Sequence, residues 1–192
     1  SDAVEVPPLG TAEHDAQAIY DALITNYGFT KESSRLLLGP NATRHHIREL
    51  FCESFLSDRS QVSPEDCVVF FFAGHGNRRE TVARKEDYVG LIYPADVRVL
   101  PGKGVDTISC LHISELVELL STLCPAQHKL VVLDSCHSGE VFQTKSRRSA
   151  GVNREFRLPL FKAPSFQAIA AARSAQQAAD RDPTGDHSPF TR

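Results

Sequence analysis

A three-layer α/β/α sandwich built on a mostly parallel central sheet is the architecture this sequence predicts. Two apolar runs carry most of the argument. Val68-Val69-Phe70-Phe71-Phe72-Ala73 and Leu130-Val131-Val132-Leu133 show no alternation of polar and apolar residues. That is the pattern of parallel strands covered on both faces. The third observation is that helix-period segments alternate with such runs along the chain, which specifies helices on both sides of one sheet. At 192 residues the chain suffices for one domain of this kind and is short for two, so residues 1–192 read as a single unit.

The elements follow in order. Residues 12 to 27 read as a helix, with Ala16, Ile19, Tyr20, Leu23 and Tyr27 at helical spacing and Gly28 as its cap. Leu36-Leu37-Leu38 reads as a short buried strand closed by Gly39-Pro40. Thr43 is a good N-cap for a second helix that buries Ile47, Leu50, Phe51 and Phe55. The strand ending at Ala73 comes next, then a polar loop over residues 77–85, then a strand over residues 88–93 stopped by Pro94. A third helix covers about residues 113–123, with Leu116, Leu119, Leu120 and Leu123 on one face. Residues 129–135 form the second apolar strand and residues 167–172 one more. Between these last two, residues 143–165 read as an exposed basic loop, solvated or offering basic cleavage sites, with Lys145, Arg147, Arg148, Arg154, Arg157 and Lys162. Residues 1–9, with Pro7-Pro8, make a poor opening strand. The first strand is therefore expected upstream or from a degenerate N-terminal segment.

Composition narrows the function classes. Lys plus Arg number 21 against 24 acidic residues, a net charge of −3, so no nucleic acid or anionic membrane is expected as partner. No stretch approaches the roughly 20 apolar residues of a membrane span, and no signal peptide is visible. The chain lacks Met and opens at Ser1, which reads as a piece of something longer. Its five cysteines form an odd set without a CxxC pair, which argues against a disulfide scaffold or zinc ribbon. Cys52, Cys67, Cys110 and Cys124 sit among apolar residues and read as inert core thiols. A reducing, cytoplasmic setting fits.

The fifth cysteine stands apart. The first apolar strand runs into Gly74-His75-Gly76, the second into Asp134-Ser135-Cys136-His137-Ser138-Gly139. If the two strands lie parallel, their C-terminal ends bring an imidazole and a thiol together on the edge where open α/β sheets place their sites. A thiol beside an imidazole suffices for nucleophilic acyl transfer. A free thiol has a pKa of about 8.5, so Cys136 needs a base, and His75 can take its proton and later return it to the leaving amine. Gly74 and Gly76 let backbone and substrate approach closely, and the N–H groups of Gly76 and Cys136 are the candidate oxyanion hole. His137 neighbours the thiol in sequence, but adjacent side chains diverge. His45-His46 lack a third ligand at metal spacing and read as a solvated helix face. Gly74-His75-Gly76 lacks the further glycine and lysine of a phosphate loop.

At these residues the chain resembles the caspase-like peptidases, and among them the metacaspases. Phe72-Ala73-Gly74-His75-Gly76 and Asp134-Ser135-Cys136-His137-Ser138-Gly139 are similar to that family's His and Cys boxes, somewhat further apart than the roughly 50 residues of caspases. Leu91-Ile92-Tyr93-Pro94-Ala95-Asp96, Asp15-Ala16, residues 168–172 and Phe190-Thr191 extend the likeness. The resemblance implies a caspase-hemoglobinase fold with a Cys–His dyad and no cofactor. It also implies zymogen processing, a role in programmed cell death, and a small-subunit segment that completes the sheet. The chain stops at Arg192, so terminal strands are expected to be missing from this stretch.

Specificity follows from charge. Caspases hold a substrate aspartate with a glutamine two before the catalytic cysteine and with arginines. Here that position is Asp134, and Asp15 matches the early-helix aspartate of metacaspases. Two carboxylates suit a guanidinium, so the expected substrates are proteins or peptides with Arg, then Lys, at P1. Departures from the metacaspase pattern are Ala73, where a serine is frequent, and Ala12, where a cysteine is frequent. Glu80, Glu86 and Asp87 are too sparse for the six to eight oxygens calcium prefers, so weak or absent calcium dependence is expected. Two alternatives remain at this stage: an Asp-specific caspase, and a catalytically silent module that uses the fold for binding.

Overall fold

The computed structural model describes residues 6–52, 55–58, 61–80, 88–135, 164–171, 188 and 191. Three helices are described: α1 (Ala12–Asn26), α2 (Arg44–Cys52) and α3 (Ile113–Thr122). The strands are β1 (Cys67–Ala73), β2 (Gly76–Glu80), β3 (Tyr88–Ile92), β4 (Val99–Leu100), β5 (Gly104–Val105), β6 (Leu111–His112), β7 (His128–Asp134) and β8 (Ser165–Ala170). The main sheet has the order β1-β7-β8 and is parallel throughout. A second sheet, β2-β3-β6, is antiparallel, and β4 and β5 form a small hairpin.

Local chemistry explains the helix ends. Thr43 Oγ1 accepts the His46 N–H at 3.1 Å, the N-cap bond of α2, while Asp96 Oδ1 takes the Arg44 N–H at 2.8 Å. α1 carries Glu13 and Asp15 in its first turn, where the helix dipole favours negative charge. It ends where Gly28 turns to φ +77°, a conformation that excludes most side chains.

The core lies between the main sheet and α2 with α3. Ile47 and Phe51 of α2, Ile113, Leu116, Val117 and Leu120 of α3, and Val131 and Leu133 of β7 are all buried there. Val68, Phe70 and Phe72 of β1 pack against them, as do Phe166, Ala168 and Ala170 of β8. Alternation along β7 puts Leu130, Val132 and Asp134 on the other face. α1 packs along β1 but gives nothing to this core. Its Asp15 meets the same residue as Asp134 does, which places α1 over the second face and completes the three layers.

Several expectations need correction. Leu36-Leu37-Leu38 forms no strand; Leu37 packs on the core, and Leu38 leads into a 3₁₀ turn over Gly39–Asn41. Its apolar run buries surface without meeting a free sheet edge. Residues 76–80 are β2 and not part of a loop, because the hairpin to β3 satisfies the backbone of a polar strand. Only half-buried residues and an exposed Cys67 make up β1, since β7 is its one neighbouring strand among the described residues. Cys67 is therefore not a core thiol. Ser165 opens β8, so the basic loop ends before it. Residues 143–163 lie outside the described residues, as do residues 1–5, and residues 6–9 form no strand.

Candidate active site

The parallel pairing of β1 and β7 runs from Cys67 with His128 to Ala73 with Asp134. The Gly74 N–H extends it by donating to Asp134 O at 3.1 Å. His75 stands two residues past that last rung on one chain, and Cys136 stands two past it on the other. Adjacent strands lie about 4.8 Å apart. The sheet thus delivers both chains to one end at the same level. Cys136 and His137 lie outside the described residues, and the thiol's own position is not described. Ser135 is buried, and its Oγ has no partner among the described residues.

His75 is oriented by the chain's own N-terminal segment. Its Nε2 lies 2.5 Å from Pro7 O. A carbonyl only accepts, so Nε2 carries the proton and Nδ1 is the basic nitrogen of the neutral ring. A base oriented by a third group is the recurring logic of nucleophile activation. Proline has no N–H and rarely enters a ladder, and Pro7-Pro8 keeps this carbonyl out of the sheet. The Tyr93 ring centroid is 6.4 Å from that of His75, and the Tyr93 N–H donates to His75 O at 2.9 Å. Burial raises the Tyr93 phenol above its ordinary pKa, so it stands as a neutral wall beside the imidazole.

Gly74 and Gly76 differ in role. A Cβ at Gly74 would stand 2.7 Å from the Phe72 ring, so the glycine makes room for the chain's own aromatic residue. Gly76 pairs with Ile92 in the β2–β3 ladder, one step beyond the bond from Tyr93 N–H to His75 O. It is therefore a non-hydrogen-bonded position, and its N–H faces away from β3.

The two carboxylates expected from sequence meet. Asp15 is 1% exposed and Asp134 6%. Between them sits Ser188, 3% exposed. Its N–H donates to Asp15 Oδ1 and Oδ2 at 3.3 and 3.2 Å, and its hydroxyl donates to Asp134 Oδ2. The Thr191 hydroxyl adds a second bond to Asp134 Oδ2 at 3.2 Å. Pro7 and Ser188 escaped the sequence reading. Pro7 acts through a backbone carbonyl, which no residue type signals, and Ser188 is a lone serine in a polar stretch. Thr191 entered only through the family likeness.

Other candidates resolve simply. His45 pairs with Glu49 at 3.1 Å, and His46 Nδ1 lies 2.8 Å from Asn41 O. Among the described residues no group of three or more His, Cys, Asp or Glu side chains could hold a metal, and no helix is long and apolar enough to cross a membrane. Burial, then the nearby Asp106, pushes the Cys110 thiol up to about 11, which makes it a poor nucleophile.

In fold the chain is similar to the crystal structure of protein GSU0716 from Geobacter sulfurreducens. The TM-score is 0.61 at 18% identity, over 95% of this chain and 70% of that one. Two curated relatives are Metacaspase-4 of Arabidopsis thaliana, 24% identical over 134 residues, and Metacaspase-1 of Schizosaccharomyces pombe, 27% identical over 131. Each alignment covers 66% of this chain but only 28% and 29% of the relative, so the chain spans less than a third of their length. The family model for the caspase domain, Peptidase C14, matches residues 4–192. The chain therefore belongs to the caspase-domain family, with metacaspases among its relatives.

Proposed function

We propose that this domain is a cysteine endopeptidase that cleaves proteins or peptides after Arg, or less well Lys, with a Cys136–His75 dyad. The observation that carries this reading is the parallel register that ends at Ala73 and Asp134, with His75 just beyond it held by Pro7 O. His75 Nδ1 takes the Cys136 thiol proton, and the thiolate attacks the scissile carbonyl. The N–H groups of Gly76 and Cys136 hold the oxyanion, a contact worth about 3 kcal/mol per donor in comparable sites. The imidazolium then protonates the leaving amine. Water, deprotonated by His75, hydrolyses the thioester and frees the acid. No metal or organic cofactor enters these steps.

Asp15 and Asp134 form the floor of the P1 pocket in this reading. A guanidinium can bond both carboxylates, while an acidic P1 side chain meets like charge. The partners are protein substrates and the domain's own small-subunit segment. A nucleophile that acts as thiolate fits a reducing, cytoplasmic setting.

The test is turnover of fluorogenic peptides ending in Arg, Lys or Asp, with and without calcium, by the wild type and by Cys136→Ala. We expect Arg ahead of Lys, no turnover of Asp, no calcium requirement, and no activity in the variant. Preferential cleavage after Asp, or activity that survives Cys136→Ala, would overturn the reading.

A further inference from the structure

Ser188 lies at the junction of three distant parts of the chain: the first turn of α1, the end of β7, and its own C-terminal stretch. Two carboxylates drawn together in a buried place repel each other strongly. Asp15 and Asp134 nevertheless converge, and a neutral residue supplies donors to both. We propose that Ser188 is a positioning residue for P1 specificity, joining Asp15 and Asp134 into one anionic floor that recognises a guanidinium. This rests on the peptidase reading given above.

The donor count supports the assignment. Ser188 has one hydroxyl proton, and it goes to Asp134 Oδ2. The hydroxyl oxygen then accepts the Thr191 N–H at 3.2 Å. That N–H also bonds Ser188 O at 3.2 Å, so Thr191 holds both the backbone carbonyl and the hydroxyl of Ser188. The backbone N–H of Ser188 is committed to the Asp15 carboxylate. One residue therefore serves both acids with different groups, and the bond from the Thr191 N–H keeps the hydroxyl from rotating away. Thr191 reinforces the same Asp134 oxygen with its own hydroxyl. Hydrogen bonds to a carboxylate favour its charged form, which a basic P1 side chain requires. The unpartnered Ser135 Oγ at the same strand end shows that this end of β7 has hydrogen-bonding capacity unused by the described residues.

A purely structural role would give a different kinetic signature. In Ser188→Ala the backbone bonds to Asp15 stay and the hydroxyl bond to Asp134 is lost. We expect kcat/KM for Arg peptides to fall roughly 10- to 100-fold, the usual effect of losing a hydrogen bond to a charged group. The matching peptide with citrulline at P1, the same shape without charge, should be unaffected, so the Arg-to-citrulline ratio collapses. Ser188→Thr should restore the ratio, and Thr191→Val should lower it by a smaller factor. Thiol labelling of Cys136 should be unchanged in all three variants.

Equal loss for Arg and citrulline peptides, or an unchanged ratio in Ser188→Ala, would overturn the assignment. If Ser188→Ala fails to fold, Thr191→Val decides by the same ratio. A wild type that never prefers Arg over citrulline defeats the underlying peptidase reading instead, so the two failures are distinguishable.

Discussion

Val131 and Leu133 of β7 point to one face of the sheet, and Leu130, Val132 and Asp134 point to the other. The two faces bury different chemistry. On the first, Val131, Leu133, Phe51 and Leu116 are each 0% exposed and entirely apolar. On the second, Ile169 of β8 remains 46% exposed, and the deepest residues are charged or polar: Asp15, Asp134 and Ser188. The apolar face holds β1 and β7 in register, which sets where their ends emerge. The other face, closed only by α1 among the described helices, can hold carboxylates because hydrogen-bond donors meet them there. In the proposed reading, stability and specificity would lie on opposite sides of one strand.

The comparison is sharpest between His75 and Phe51. We predict that His75→Ala lowers kcat/KM by about 10²- to 10⁴-fold, the usual contribution of a positioned base, with an unchanged melting temperature. Phe51→Ala should instead cost about 3–5 kcal/mol of stability, read by urea titration. A His75→Ala variant as unstable as Phe51→Ala would break the distinction. A smaller effect concerns the ring's orientation. A chain that starts at Leu9 lacks the Pro7 carbonyl; we expect its kcat to fall roughly 10- to 100-fold with KM little changed. Unchanged kcat would mean that Pro7 O merely touches His75.

The smallest effect belongs to Cys110, a buried thiol outside the main apolar cluster. Its thiol is pushed up to about 11, above the ordinary thiol range, by burial first and Asp106 second. The folded state thus keeps a proton that the unfolded chain releases at lower pH. Stability from this group is intact below pH 9 and declines as pH rises from 9 toward 11. Urea melts at pH 8 and pH 10.5 should show that decline, and less of it in Cys110→Ala. The exposed Cys67 should alkylate at neutral pH while Cys110 does not, so labelling of Cys136 is best followed in Cys67→Ser.

Much of the fold was legible because burial leaves a pattern. The uniform apolar runs mark β1 and β7, and Leu116 and Leu120 at helical spacing mark α3. β2 was not legible, since Asn77, Arg78, Arg79 and Glu80 form a polar hairpin strand. Its stabilisation comes from pairing with β3 and from Arg78 stacked 4.3 Å over the Tyr88 ring, contacts absent from the local sequence. Leu36-Leu37-Leu38 misled in the opposite sense, because apolar residues can pack without pairing.

The same division runs through the site. Sequence alone determined that a histidine and a cysteine each follow an apolar strand, since reactive side chains and apolar runs are both local. It also marked Asp15 and Asp134, through charge and family likeness. Only the tertiary structure decided that these acids share one serine, across sequence separations of 173 and 54 residues. It alone decided that Pro7 O, 68 residues away, orients His75. The physical reason is that a backbone carbonyl has no residue identity. A bridging donor has no meaning until folding brings its two acceptors within hydrogen-bond reach.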